Sequence, residues 1–436
     1  MRRLLKNYWP TICYIVIICA SMIMSTWVKN VFLISDIFSK GATILIYLPF
    51  IAAILWKLIF DIKNKVNIKK TINIIYYCFA VYYVLISVYR FIYSLEIKEN
   101  LYYFLVLFGS IALFMQLSEK NIAIKKATLQ NNIVSISAIM ALIRFICYFL
   151  VGPLFLSYPI NMNIMTGLNI ITMPFLVDYY KQAKTKKTKI FVLALMCLIL
   201  VEVLTSSARM MCTLALMVLL VQIIVNFKNK AVFKRLIFTC LCALLVIIIM
   251  FVGNVKNTRY AIFREFSVVK KIVYFIDSAV GTDMNNEKLD EEQEMVEAVE
   301  QIQRSDSMRQ DLINMGIEQV KQNPIFGTGN VTYSYFVSGY TIQQSSHNFL
   351  IEALICYGII GVLLIIVLIL LALYKSKIFS RKNKGPWQNK ISVFLTFVVF
   401  FAMGSLQPLV FNSLLCPVFM MLFANYDKIA QEDLVQ

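Results

Sequence analysis

Twelve runs of apolar residues follow one another along the chain. They lie near 11–27, 41–60, 71–89, 101–117, 130–150, 162–180, 190–204, 209–226, 236–253, 347–373, 391–404 and 407–424. A helix needs about 20 mainly apolar residues to cross the hydrocarbon core of a bilayer. Continuous runs of this length, without period-2 alternation, make helices the spanning element and exclude a β-barrel. The runs at 190–204 and 391–404 are short, and each joins its successor through a tight turn, so the count is about twelve, within a range of ten to twelve. Composition agrees. Of the 436 residues 60% are apolar and only 15% charged, too few to give a water-soluble fold a polar surface. A cytosolic enzyme, a secreted disulfide scaffold, a disordered chain and a collagen-like fibre are excluded together. The expected fold class is an all-α polytopic membrane protein, divided as helices 1–9 in 1–253, a large loop in 254–346 and helices 10–12 in 347–436.

The net charge is +18, from 42 Lys+Arg against 24 Asp+Glu. These cations sit mainly in short loops between the spans, so they orient the chain rather than bind nucleic acid. With a cytoplasmic N-terminus the inside loops hold 26 of them and the outside loops 14, nine of the latter in the long loop, where charge has little orienting force. Both termini are therefore expected in the cytoplasm. Trp9 and Trp27 flank the first run as interfacial anchors would, and the run lacks a small-residue cleavage site, so it reads as an uncleaved span. The ten cysteines all fall in apolar segments and there is one histidine, a set that holds no metal-ligand spacing. Neither a metal nor another cofactor is expected.

Residues 254–346 break the pattern. This loop carries 13 of the 24 acidic residues. Met295, Val299 and Ile302 recur at helical spacing in its acidic stretch, and Leu312, Ile313, Ile317 and Val320 share one face of a second amphipathic segment. Asn323-Pro324 stops that segment, and the glycines of PIFGTGN make a turn. The loop is expected to form two or three short helices lying on the outer membrane face. A long structured loop is commonly where function sits.

Ionisable side chains inside spans cost about 2.5–3.5 kcal/mol each at a helix centre, which makes them informative. They are Lys57, Arg144, Glu202, Arg209 and Glu352. Lys57, near a cytoplasmic end, is expected to snorkel. Arg144 lies in the outer half of its span, where it either pairs with Glu202 or binds a ligand. Arg209 follows Thr205, Ser206 and Ser207 at a helix start, a setting suited to an anion. Arg309 begins the amphipathic loop segment. Three outside arginines point to a phosphate or diphosphate. His347 stands where the long loop enters the tenth span, after Ser345 and Ser346 and before Asn348. A lone histidine is more often structural; in this context it is a candidate general base toward a hydroxyl. Glu352, one to two turns deeper, either orients the imidazole or pairs with Arg144 or Arg209. Gly358 and Gly361 form a small-residue face that lets a neighbouring helix pack closely.

His347-Asn348, nine residues, then Gly358-x-x-Gly361 resembles the signature of the bacterial O-antigen ligase/polymerase superfamily. TSSARMMCTLAL is similar to that family's Ser-Arg motif at a span start. SMRQDLINMGIEQVKQNPIFGTGN is similar to its Ser-x-Arg…Asn-Pro-x-x-Gly-x-Gly segment. The likeness covers about 205–361. It departs from the pattern at Leu312 and Ile313, where the family often has an aromatic. The resemblance implies a GT-C-like, metal-independent, inverting glycosyltransferase of the bacterial cytoplasmic membrane, working at its outer face. The donor it implies is an undecaprenyl-diphosphate-linked oligosaccharide. Arg209, Arg309 and Arg144 would neutralise the leaving diphosphate, and His347 would deprotonate the acceptor hydroxyl, with Asn348, Glu352 and Ser207 in support. A chain-length regulator and a flippase are the protein partners it implies.

Two acceptors fit this reading. A polymerase joins one lipid-linked repeat to another, whereas a ligase moves the glycan onto a lipid A-core. The long acidic loop and the Ile/Lys/Asn-rich composition favour the polymerase. A polysaccharide flippase would carry its charges near the midplane of the spans instead of toward the outer surface. A membrane scaffold or sensor would leave His347 replaceable.

Overall fold

The computed structural model describes residues 2–24, 36–63, 71–92, 98–118, 125–151, 162–205, 209–253, 309–329, 332–337, 340–346, 348–376, 387–404 and 413–433. Their helices are α1 (Arg2–Met24), α2 (Asp36–Lys63), α3 (Thr71–Ile92), α4 (Lys98–Ser118), α5 (Lys126–Val151), α6 (Met162–Gln182), α7 (Lys186–Leu204), α8 (Arg209–Val225) and α9 (Lys230–Val252). There follow α10 (309–322), α11 (Phe349–Ser376), α12 (Trp387–Gly404) and α13 (Leu415–Asp433). A helix therefore stands at each of the twelve apolar runs. Six are long and apolar enough to cross a membrane by length and composition: Ile44–Lys63, Ile72–Ile92, Leu101–Ser118, Lys126–Tyr148, Lys230–Val252 and Phe349–Leu371. Shorter apolar helices occupy Tyr8–Met22, Met210–Val225, Lys390–Gly404 and Leu415–Tyr426. The chain is a polytopic α-helical membrane protein.

Local signals set several helix ends. The Thr185 hydroxyl accepts the Thr188 N–H at 3.1 Å to start α7, and the Asn229 side chain accepts the Val232 N–H at 3.3 Å to start α9. Pro10, Pro49 and Pro174 lie inside α1, α2 and α6. Neighbouring helices in a membrane bundle re-satisfy the backbone groups a proline frees.

The bundle is built around α6. It packs against α5, α7, α8, α12 and α13, and every residue from Met165 to Asp178 is buried. That position explains its composition, because a helix shielded by protein on all sides carries Thr166, Asn169, Thr172 and Asp178 without meeting lipid. At the periphery, α9 turns Phe238, Leu241, Leu245, Ile248 and Ile249 outward, the apolar cover a lipid-facing helix needs. On the other flank α2 packs on α1 and α4, α13 on α4, and α3 on α11.

Two expectations change. Lys57 does not snorkel. It is 1% exposed, ion-paired with Asp61 one turn on, hydrogen-bonded to Asn73 Oδ1 at 3.5 Å, and set over the Tyr76 ring at 5.9 Å. Tyr77 OH donates to the same carboxylate at 2.5 Å. A lysine stem reaches water only where no partner is nearer, and α3 supplies partners here. The long loop, expected to be helical, also contains an antiparallel hairpin of β1 (Thr332–Val337) and β2 (Tyr340–Ser345), in register from Thr332↔Ser345 to Val337↔Tyr340. The acidic stretch with Met295, Val299 and Ile302 lies outside the described residues, as does Trp27.

Candidate functional site

The site is built from three pieces: the 309–329 segment, the start of α11, and the buried face of α3. Helix α11 is broken at Gly358, whose backbone has φ 63° and ψ −175°. A break orphans the carbonyls before it and the N–H groups after it, and each needs a partner when buried. The partners come from elsewhere in the chain. Gly329 N–H donates to Ile355 O at 2.9 Å, Arg90 Nη2 to Cys356 O at 2.5 Å, and Tyr82 OH to Tyr357 O at 2.6 Å. Beyond the break, Ile359 N–H donates to Pro324 O at 2.9 Å. Thus the 323–329 turn docks its backbone directly into the interrupted helix.

Glycine makes this approach possible. A Cβ on Gly358 would stand 2.0 Å from Ile325 O, and one on Gly327, at φ 73°, would stand 2.2 Å from Ile355 O. Gly361 does what the small-residue face implied, lying against the Tyr82 ring of α3. Gly358 does something else and admits the turn. The two glycine motifs of the sequence, far apart along the chain, are the two sides of one junction.

Helix α10 arrives in place through this junction. Asn323 ends it, its carbonyl accepting the Gly327 N–H at 2.8 Å and its side chain the Phe326 N–H at 3.4 Å. Leu312, 1% exposed, meets Ile355 with Met315, Val320 and Ile351 around them. The face expected inward was Leu312, Ile313, Ile317 and Val320; Ile317 is in fact 41% exposed, because the helix presents its Leu312–Gly316 edge to α11. Arg309, at the first residue of α10, is half-buried.

At the start of α11, Asn348 is the cap. Its Oδ1 accepts the N–H of Leu350 at 3.0 Å and of Ile351 at 3.2 Å. Glu352, fully buried in the first turn, accepts from the Ser346 hydroxyl at 3.4 Å, and that hydroxyl accepts the Asn348 N–H at 3.4 Å. The residues on either side of His347 are thus both held. His347 and Ser207 lie outside the described residues, as does the side chain of Arg209.

A second polar cluster joins α5, α6 and α7. Arg144 is fully buried, with its guanidinium 5.8 Å from the Tyr148 ring, and its charge acts on the Glu202 carboxyl. Glu202 Oε2 accepts from Asn169 Nδ2 at 3.0 Å. The structure brings Arg144 and Glu202 into one neighbourhood; Glu352 turns to Ser346. Two residues before Asn169, Gly167 faces Met403 of α12 and Met211 of α8. The adjacent Gly404 faces Phe349 at the start of α11. The cluster, the start of α8 and the start of α11 therefore adjoin through α6 and α12.

Arg90, Tyr82 and Asn169 were not among the expected site residues. The third run was bounded at 89, which counted Arg90 as a loop cation, yet α3 continues to Ile92. A usable signal was present: Phe79, Tyr83, Ile86 and Arg90 recur at four-, three- and four-residue steps, and all four are buried.

Residues 191–366 match a protein-family model described as O-antigen ligase. The match runs from within α7 to within α11, so the matched segment contains residues 205–209, α10, the 323–329 turn and the broken helix. That description accords with the O-antigen ligase/polymerase superfamily that the motifs resembled. Arg90 and Arg144 lie outside the matched residues, on helices that pack against the domain from the N-terminal half of the chain. No curated protein and no solved structure matches the chain. Among the described residues no group of His, Cys, Asp and Glu is arranged to hold a metal ion.

Proposed function

We propose that this protein is a polysaccharide polymerase, transferring a glycan from undecaprenyl diphosphate onto another lipid-linked repeat at the outer face of the bacterial cytoplasmic membrane. The observation that carries the reading is the junction of the 323–329 turn with broken α11 inside the O-antigen ligase domain, which holds the helix bearing Arg309 against the helix that follows His347. Twelve spans and a GT-C-like arrangement, with both termini cytoplasmic, complete it.

In this mechanism His347 takes the proton of the acceptor hydroxyl as the oxygen attacks the anomeric carbon. The new C–O bond forms on the face opposite the breaking bond to the diphosphate, which inverts the configuration. The lipid diphosphate departs with the negative charge. Arg209 and Arg309 neutralise it most directly, and fully buried Arg144 adds its field from behind, moderated by Glu202. Asn348 caps the helix that follows the base, Glu352 and Ser346 fix the segment beside it, and Ser207 supports the anion at the start of α8. A flippase delivering the donor and a chain-length regulator are the partners such a reaction calls for.

The test is the length of surface polysaccharide in cells carrying His347→Ala at normal protein level. Accumulation of single lipid-linked repeats is the expected result. Unchanged chain length would remove His347 from the mechanism. The family description favours a second reading, the ligase, which attaches the glycan to a lipid A-core. In that case loss of the protein leaves long lipid-linked chains unattached rather than single repeats.

A further inference from the structure

At the interruption of α11 the carbonyls of Ile355, Cys356 and Tyr357 accept hydrogen bonds from outside the helix. Two of their donors, Tyr82 and Arg90, come from α3, outside the matched domain. Arg90 does more than satisfy one carbonyl. Its Nη2 also donates to Phe326 O at 3.0 Å, so one guanidinium nitrogen bridges the broken helix and the inserted turn. Its side chain is 1% exposed, and among the described residues the ionisable groups facing it are Tyr82, Tyr83, Cys356 and Tyr357, none of them a carboxylate. Among the described residues Nε and Nη1 have no hydrogen-bond partner. A buried arginine without a carboxylate is costly, and here its bonds go to backbone carbonyls of the junction.

We propose that Arg90 is a positioning residue that locks the 323–329 turn into the break of α11. In doing so it sets the place of α10, with Arg309 at its start, relative to the His347 position. The effect on transfer rests on the polymerase reading above; the lock itself does not. Release of the turn would leave α10 held on α11 mainly by Leu312 against Ile355, too small a contact to fix a reacting geometry.

The experiment uses the full-length protein in detergent micelles and in native membranes, as wild type, Arg90→Met, Arg90→Lys and Tyr82→Phe. Trypsin cleavage after exposed Lys321, at the end of α10, reads opening of the turn. Cleavage after Lys228, between α8 and α9, is the control for general unfolding. Arg90→Met is expected to speed cleavage at Lys321 on the order of ten-fold with Lys228 unchanged, and Arg90→Lys to speed it less. Tyr82→Phe should act in the same direction by withdrawing the neighbouring bond, and with Arg90→Lys it carries the test if Arg90→Met fails to accumulate.

Transfer is assayed with lipid-linked oligosaccharide extracted from cells lacking this protein. The expected signature is a kcat reduced roughly 10- to 100-fold, a nearly constant KM, and partial recovery in Arg90→Lys. Equal cleavage at Lys321 in wild type and Arg90→Met would overturn the proposal. A raised KM with unchanged cleavage would also overturn it, by making Arg90 a ligand of the donor anion. Parallel increases at Lys321 and Lys228 would overturn it by reducing Arg90 to a general fold residue. A wild type inactive on the extracted donor would defeat the polymerase reading, and the cleavage comparison would still decide the lock.

Discussion

Gly358 and Gly361 look alike in the sequence and do different things in the structure. Gly358 holds a positive-φ, extended-ψ backbone that costs a residue with a Cβ on the order of 1–3 kcal/mol before any clash, and its Cβ position lies 2.0 Å from Ile325 O, a backbone atom that cannot swing aside. A Cβ on Gly361 would stand 2.4 Å from Tyr357 Cβ and 2.9 Å from the edge of the Tyr82 ring, side-chain rather than backbone atoms of its neighbours. Gly358→Ala should therefore abolish chain extension at normal protein level, while Gly361→Ala retains part of it; comparing polysaccharide length in the two strains checks this. Asn348 offers a second contrast. Asn348→Ala removes the acceptor of two N–H groups at a cost of about 1 kcal/mol, and Asn348→Asp keeps it. Hydrogen exchange of the 349–352 amides should rise in the alanine variant and stay near wild type in the aspartate variant. That Asn348 and Gly358 mattered was legible from their spacing. What each does was not, because a motif records neither a dihedral angle nor the atom that approaches from another part of the chain.

Among the elements, α3 shows how helix placement redefines charged residues. Its two ends lie at buried cations in opposite settings: Lys57 of α2 pairs with Asp61 beside Asn73 and Tyr77 of α3, while Arg90 of α3, among the described residues, bonds backbone carbonyls. Breaking a buried ion pair from one side is costly, about 3–5 kcal/mol, because it strands the other charge. Lys57→Met should lower the thermal stability of the detergent-solubilised protein by an amount of that order, and adding Asp61→Asn should restore much of it. A double variant no more stable than Lys57→Met would show that the pair is not isolated in this way. Helical periodicity located α3 and α10, yet neither the inward edge of α10 nor the partner of Lys57 followed from it. Such details depend on which neighbour occupies the groove, and that neighbour is tens or hundreds of residues away.

For the whole molecule, the testable expectation is orientation. The distribution of 42 cations puts both termini and the short basic loops inside and residues 254–346 outside. A reporter enzyme active only outside the cytoplasm should work when fused after residue 300 and fail when fused after residue 230. Activity in the reverse pattern would invert the topology and remove the proposed site from the outer face. The sequence by itself determined that this chain enters a membrane as helices, because lipid admits no unpaired backbone and the apolar runs are continuous. Its motifs also singled out the stretch from 205 to 361, which lies inside the residues 191–366 that match the family model. The tertiary structure alone decided that α6 is the hub, that α11 is interrupted, and that the turn after α10 fills the interruption. Hydropathy is a property of each segment alone, whereas a broken helix is stable only where donors and acceptors from other segments meet its orphaned groups.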